Sequence, residues 1–194
     1  MNRTRFLKSA FGLSLLSLWG CQANDRDAEA KNEADLFSAE ALEENIRQEL
    51  TNAWLRSEAM TMANIEQMPS NIFTFKYTEE AMTFSEQWRH CVVYTCGQLA
   101  SRAKISNPYK DIKLPVQMPK EDIIQEVKNM YAFVRKAIME LSSDKLYSTC
   151  SFAGDEIPIW RLFYALENHI IHHRGQCIVY LRLNGIVPKG YYGW

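Results

Sequence analysis

The chain has 194 residues, of which 22 are Lys or Arg and 23 are Asp or Glu, and 47% are hydrophobic. The net charge of −1 lacks the clustered basic excess that is typical of nucleic-acid binding, so we expect no nucleic-acid partner. The apolar content also excludes a chain that is disordered throughout. The length suits one domain with extensions, and the small numbers of glycine (eight) and proline (six) favour long helices over a turn-rich sandwich.

Residues 1–20 have the pattern of a secretory signal peptide. Basic residues in "MNRTRFLK" precede an apolar run that is too short to span a bilayer permanently. The run ends in "LSLWGC", where Leu18 lies three residues before Cys21 and Gly20 directly precedes it. This resembles the lipobox of bacterial lipoproteins. The resemblance implies cleavage before Cys21, lipidation of its thiol, and a lipid-anchored place in the bacterial cell envelope; an ordinary secretory peptide is the alternative.

A polar segment follows the predicted lipidation site. Residues 21–36 include "QANDRDAEAKNEAD", which offers almost nothing to bury and predicts a flexible tether. The remaining residues, 37–190, predict a single helical domain.

Four long helices are predicted in this domain. The first covers 38–69, with Ser38 as its N-cap and Pro69 just past its end. Its apolar residues recur at helical spacing: Leu42, Ile46, Leu50, Trp54 and Leu55. The second covers roughly 79–104, with Thr78 as its N-cap. The third and fourth cover 120–142 and 157–184, and the fourth ends near Gly185.

The connections between these helices complete the predicted fold. A proline-containing stretch, 105–119, joins helices two and three, and a short hairpin is possible near 146–153. No other run alternates as a strand does. We therefore predict an all-α, four-helix bundle with a long crossover between helices two and three.

Helix four contains a cluster of histidines in "ENHIIHHRGQ". His169 and His173 are four residues apart and lie within about 40° of each other around the helix. The same stripe carries Leu162, Leu166 and Tyr180, so we expect the two histidines to face the bundle interior. His172 is rotated about 100° from His173 and is expected at the edge, while a pair of His169 with His172 at i, i+3 is the alternative.

Two buried imidazoles without partners are costly, at about 1–3 kcal/mol for each unsatisfied polar group. Histidines at positions i and i+4 can instead bind one divalent metal ion. The remaining histidine, His90 on helix two, is the candidate third ligand. Two alternatives stay open from the residues alone: His90 as a structural histidine, and the helix-four cluster as a solvated polar face.

Two segments resemble a known family. "NHIIHHRGQCIVYLRLNGIVP" and "MPSNIFTFKYTEEAMTFSEQWRHCVVY" resemble the DinB/YfiT-like superfamily of metal-dependent bundle proteins, and the resemblance covers about residues 40–190. It implies a four-helix bundle with a long crossover that can form a homodimer. It also implies one divalent metal ion, nickel or zinc, bound by His90, His169 and His173, with His172 outside the ligand set.

The resemblance also bears on function. Three protein ligands leave positions open at the ion, which is the pattern of a catalytic or sensing site. Some relatives transfer low-molecular-weight thiols, which implies a small-molecule substrate and a hydrolase or thiol S-transferase. A non-catalytic metal- or ligand-binding protein is the alternative.

Arg174 and Gln176 flank the predicted site, and Gln176 could orient a water. A helix-packing role for this pair is the competing interpretation. Glu167 lies about 160° from the histidine stripe and is not a candidate.

Four cysteines besides Cys21 could form disulfides after export: Cys91, Cys96, Cys150 and Cys177. Four cysteines allow three complete pairings, and the sequence does not select one. Cys177 lies one turn beyond His173 and could approach the metal, although a buried free thiol is the commoner fate of such a residue.

Overall fold

A computed structural model describes residues 38–190, so the predicted signal peptide, the lipidated Cys21 and the tether lie outside the described residues. The elements are α1 (Ala39–Gln67), a 3-10 turn (Ser70–Ile72), α2 (Phe84–Ala103), α3 (Lys120–Glu140), a short α4 (Ser143–Tyr147), β1 (Thr149–Phe152), β2 (Asp155–Pro158) and α5 (Ile159–Leu183). The described residues from Glu43 onward form one compact unit. The predicted all-α bundle is confirmed.

The helices pack in an order that differs from their order in the chain. Helix α2 packs against α3 and α5, whereas α1 contacts α3 and α5 through side chains such as Ser57, which bonds to Tyr131 and to Arg174. Around the bundle the order is therefore α1, α3, α2, α5.

Helices α2 and α3 run parallel to each other. Ser85, at the start of α2, donates to the carbonyl of Met118, which lies just before α3. A helix of 20 residues is about 30 Å long, so residues 104–119 must return along the whole length of α2 before α3 can begin. This connection is the predicted crossover, and the prediction is confirmed.

The start of helix α2 was predicted at the wrong threonine. The N-cap is Thr83 and not Thr78, and the helix begins at Phe84. The Thr83 hydroxyl accepts from the Glu86 backbone N–H, and the Glu86 carboxylate accepts from the Thr83 backbone N–H. This reciprocal capping box satisfies two donors that a helix start otherwise leaves unpaired. Residue 81, three positions after Thr78, is an alanine, so Thr78 cannot form the same box.

The predicted hairpin exists, but it extends further along the chain than 146–153. Strands β1 and β2 are antiparallel, and Phe152 pairs with Asp155 across a two-residue turn. The turn residues Ala153 and Gly154 have φ values of 54° and 93°, as a twist-compatible hairpin turn requires. Because β2 extends to Pro158, α5 begins at Ile159 rather than at residue 157.

The core forms along the inward faces of the four long helices. On α1 the inward face carries Leu50 and Trp54, both fully buried. Leu55, one of the apolar residues at helical spacing, is 47% exposed, because it is rotated about 100° from Trp54. Leu42, in the first turn of the helix, is also 47% exposed. The helical spacing that predicted α1 therefore includes residues that do not reach the core.

Within residues 38–190, no helix has both the length and the continuous apolar character that crossing a bilayer requires.

Candidate metal centre

Three histidines meet where α2 packs against α5. The Nε2 atom of His169 lies 3.2 Å from Nε2 of His90 and 3.2 Å from Nε2 of His173. The possible ligand atoms of all three residues lie within 4.8 Å of one another, and they form the one group of three or more such residues found among the described residues. We refer to His90, His169 and His173 as the three-histidine cluster.

The helical stripe on α5 explains how this cluster forms. His169 and His173 are one turn apart, and their stripe neighbours Leu162, Leu166 and Tyr180 are all fully buried, as predicted. Antiparallel packing of α2 then brings His90 opposite the pair. His172 is exposed and lies outside the cluster, at the edge position that was expected.

The spacing of the cluster fits a bound metal ion. Two nitrogens bound to one zinc ion at tetrahedral angles are about 3.3 Å apart, close to the observed 3.2 Å. Without an ion, a protonated and an unprotonated nitrogen at this distance can form one hydrogen bond, but each Nε2 carries either one proton or one lone pair, so His169 cannot form a full hydrogen bond to both neighbours. A cation at the centre would satisfy all three lone pairs, so the arrangement is compatible with metal binding.

The surroundings keep these histidines neutral. Burial, and to a smaller extent the neighbouring histidines, lower the pKa of His169 and of His173 from the ordinary value of 6.5 to about 4. Burial, together with the charge of Arg89, also lowers the pKa of His90. Neutral imidazole is the form that ligates metals, so at pH 7 the cluster needs to lose no proton before it can bind an ion.

Side chains around the cluster hold the rings in place. The Nδ1 atom of His173 hydrogen-bonds to Oε1 of Gln87, which is 3% exposed. The ring of Tyr94 stacks on the ring of His169 at 4.1 Å between centroids and an interplanar angle of 23°. In the described part of the chain, the buried Nδ1 of His169 has no hydrogen-bond partner.

Sequence reasoning missed Gln87 and Tyr94, although a helical signal for both existed. Gln87 lies about 60° and Tyr94 about 40° from His90 around α2. Both therefore share the face that points His90 toward α5.

The two residues that flank the predicted site have different surroundings. Gln176 contacts Gln87 at 2.9 Å and His172 at 2.7 Å, so it lies beside the cluster. Arg174 is buried, and its Nη1 lies 3.3 Å from the Ser57 backbone oxygen, the Ser57 hydroxyl and the Thr61 hydroxyl. These contacts join α5 to α1 and fit the packing interpretation for Arg174.

Glu167 also lies on the α1 side of α5. Burial raises the pKa of its carboxyl, while a hydrogen bond from Ser57 and the charge of Arg174 oppose that rise. It is not part of the three-histidine cluster.

The four cysteines of the described chain are free and buried. Burial raises the pKa of Cys96 to about 12 and raises the pKa values of Cys91 and Cys177 strongly. Cys177 is absent from the group of residues that could hold the ion. These thiols pack in the core, and no two of them are paired in the described structure.

Comparison with known proteins assigns the chain to a family. A search of curated proteins finds no match to the chain. The fold is similar to that of a DinB-like protein from Bacillus subtilis, with a TM-score of 0.61 and 16% identity over 74% of this chain and 97% of the other. A DinB-like protein from Bacillus cereus gives a TM-score of 0.61 and 20% identity over 74% of this chain and 95% of the other.

The two structural relatives share the helical fold of this chain at identities too low to show more than the fold. The family model gives the stronger assignment, because the DinB family model matches residues 36–194, which include both histidine-bearing helices. The chain belongs to the DinB family.

Proposed function

We propose that the protein binds one divalent metal ion, zinc or nickel, through the Nε2 atoms of His90, His169 and His173. We further propose that it uses the ion to act on a small molecule, as a hydrolase or a thiol S-transferase. The observation that carries this proposal is the convergence of three neutral imidazoles, with Nε2 of His169 3.2 Å from Nε2 of each of the other two and no carboxylate in the group.

The donor set determines what chemistry the site would favour. Imidazole is a common ligand for both zinc and nickel. A bound ion of this kind supplies Lewis-acid polarisation of an electrophile, or lowers the pKa of a thiol or water. Three neutral ligands leave its double positive charge uncompensated by the protein, which favours an anionic reaction partner such as a thiolate.

The protein's own thiols do not supply that partner. Cys91 and Cys177 are fully buried, and their pKa values are strongly raised, so they stay protonated. A reacting thiol would have to come from the substrate. His90 and His169 are only partly buried, which leaves the cluster reachable from solvent.

The metal site is tested by removing the histidines one at a time. Each of His90→Ala, His169→Ala and His173→Ala should lose most of its zinc or nickel after dialysis against a weak chelator. His172→Ala is the matched control, because it removes an exposed imidazole from the same helix and should retain the metal. Equal loss in His172→Ala would move the site by one position, and full retention in His90→Ala would reduce it to a pair on α5.

The reaction class is tested on metal-stripped and reloaded protein. Ester hydrolysis and transfer of low-molecular-weight thiols to an electrophile should both be compared with the His169→Ala variant. Activity that returns with the metal, and does not return in the variant, supports an enzyme.

A non-catalytic metal-binding role is the second candidate. The observation that favours it is the composition of the site, since the group of possible ligands contains only histidines and no Asp or Glu that could serve as a general base. Metal binding without activity across both assays would select this role.

We also propose that the protein is anchored to the bacterial cell envelope through a lipid on Cys21. Support comes from the basic start, the apolar run and "LSLWGC". Expression of the full gene in a bacterium, followed by detergent partitioning, tests this, because loss of lipidation and processing should make Cys21→Ser differ from the parent in size and partitioning. A Cys21→Ser protein as membrane-bound and as large as the parent would contradict the proposal. A homodimer, which the family resemblance implies, is tested by analytical ultracentrifugation.

A further inference from the structure

We propose that Gln87 is a positioning residue that, together with Tyr180, fixes His173 as the tautomer with its proton on Nδ1. This leaves the lone pair of Nε2 free for the ion. The inference rests on the proposed metal site for its purpose, but the tautomer is a property of the metal-free protein and can be measured there.

The donor and acceptor roles in this network are fixed first by a backbone carbonyl. The hydroxyl of Tyr180 donates to the carbonyl oxygen of Met82, which can only accept. Once its hydrogen is committed there, the oxygen of Tyr180 can only accept from its other neighbour. That neighbour is the amide nitrogen of Gln87, at 3.4 Å.

The orientation of the Gln87 amide then determines which nitrogen of His173 is protonated. Its amide nitrogen faces Tyr180 and also donates to Oε1 of Gln176 at 2.9 Å. Its amide oxygen therefore faces Nδ1 of His173. An amide oxygen only accepts, so Nδ1 must carry the proton and Nε2 must carry the lone pair.

The hydrogen bond from Gln87 to Gln176 also opposes a 180° turn of the Gln87 side-chain amide. Gln176 accepts from Gln87 through Oε1 and contacts His172 Nε2 through its own amide nitrogen at 2.7 Å. Turning Gln87 over would place its oxygen against the Tyr180 oxygen and, as the Gln176 amide is oriented here, also against Oε1 of Gln176. These acceptors would then face one another around a side chain that is only 3% exposed.

Fixing this tautomer prepares the metal site. In the other tautomer a proton would lie on Nε2 of His173, in the 3.2 Å gap to His169, and would have to move before an ion could bind. Partners that orient a ligating histidine typically contribute a factor of about 10–100 to metal affinity. We expect metal affinity to fall by that factor when residue 87 can no longer accept a hydrogen bond from Nδ1 of His173.

Two readouts on the full-length protein in detergent test the inference. Imidazole ¹⁵N resonances of the metal-free protein report directly which nitrogen of His173 is protonated. Competition with a chromophoric chelator reports the affinity for zinc. Two variants change residue 87: Gln87→Leu removes the acceptor for His173 Nδ1, and Gln87→Glu keeps one. Tyr180→Phe removes the hydroxyl that orients the Gln87 amide. Gln98→Leu is the control. Gln98 is on the same helix, and its buried Oε1 has no partner in the described structure.

The expected results separate positioning from general damage. Wild-type His173 should be protonated on Nδ1, and Gln87→Leu should show the other tautomer and bind zinc about 10–100-fold more weakly. Gln87→Glu keeps an acceptor for Nδ1 but loses the donor to Tyr180 and Gln176, so it should restore the Nδ1 tautomer and bind zinc more tightly than Gln87→Leu. Tyr180→Phe should weaken binding less, and Gln98→Leu should change neither readout. Protonation of wild-type His173 on Nε2, or zinc binding by Gln87→Leu within twofold of wild type, would overturn the inference. Failure of the wild type to bind zinc or nickel would instead overturn the proposed function, because the resonance assignment decides the tautomer without metal.

Discussion

Two polar clusters lie on adjacent faces of α5, and they differ in how their donors and acceptors are matched. In the arginine–hydroxyl cluster, Arg174 donates to Ser57 and Thr61, and the hydroxyl of Tyr131 contacts the same two side chains. None of these atoms is left without a partner. In the three-histidine cluster, three ring nitrogens face one another and at most one proton can be shared among them.

The difference shows how a structural cluster can be distinguished from a candidate site. Both are polar, both contain buried side chains and both join α5 to another helix, so polarity and position alone would not separate them. A matched cluster stabilises the fold by itself, whereas an excess of converging acceptors is costly unless a cation is present. We therefore expect the two clusters to respond in opposite ways to the same treatments.

The largest expected effect is on stability at Arg174. Arg174→Ala should lower the free energy of unfolding by about 2–4 kcal/mol, because it removes buried packing and leaves the hydroxyls of Ser57 and Thr61 short of a donor. Chemical denaturation measures the change. Metal content per folded protein should stay at the wild-type value.

Arg182→Ala is the matched control for that experiment. Arg182 is exposed on the same helix, so its loss should change the free energy of unfolding by less than about 0.5 kcal/mol. If Arg174→Ala kept full stability but lost the metal, the assignment of Arg174 to packing would be wrong.

The next effect is a pH dependence confined to the three-histidine cluster in the metal-free protein. The pKa values of His169 and His173 are about 4 in the folded protein, against an ordinary 6.5. Above pH 6.5 these histidines are neutral in both states, and stability is complete. Between pH 6.5 and 4 the unfolded state binds protons that the folded state does not, so stability should fall as the pH falls.

Denaturant midpoints between pH 7.5 and 4 measure this slope. His169→Leu should reduce it, because one partly buried imidazole with a lowered pKa is gone. His172→Leu removes an exposed imidazole that contributes least to the lowered pKa values of His169 and His173, so it should change the slope much less. Saturating zinc should raise the midpoint at pH 7. A midpoint with the same pH dependence in wild type and His169→Leu would contradict the pKa assignment.

The smallest effect is expected at Tyr131. Tyr131→Phe removes one hydroxyl from the arginine–hydroxyl cluster and should cost about 1 kcal/mol, because Ser57 and Thr61 keep their contacts with Arg174. Chemical denaturation and metal analysis should show a small loss of stability with unchanged metal. A loss above about 3 kcal/mol would mean that the cluster depends on this hydroxyl far more than its contacts indicate.

Much of this architecture could be predicted from local sequence patterns, since helical periodicity depends on near neighbours. The spacing of His169 and His173 with Leu162, Leu166 and Tyr180 defined an inward stripe on one helix. That His90 lies opposite this stripe depends on how α2 and α5 pair across the bundle, which local spacing does not encode. The choice of His90 came from the family resemblance and from its being the remaining histidine.

The errors came from local signals that were weighed incompletely and from tertiary effects. The start of α2 was misplaced at Thr78, although the Thr83–Glu86 spacing of a capping box distinguishes the two candidates. The turn of the hairpin has Ala153 at positive φ, which alanine rarely adopts, so composition gave no signal for its position. The role of Gln87 depends on contacts with Tyr180 and Gln176 from another helix.

The central claim is that the three histidines, and no cysteine, bind one metal ion. X-ray absorption at the zinc or nickel edge of the metal-loaded protein tests it most directly, because imidazole and sulfur scatterers give distinct signatures. We expect three imidazole ligands, a remainder of light non-protein atoms and no sulfur. A sulfur ligand, which would come from a thiol such as Cys177, or a fit with two or fewer imidazoles would contradict the account.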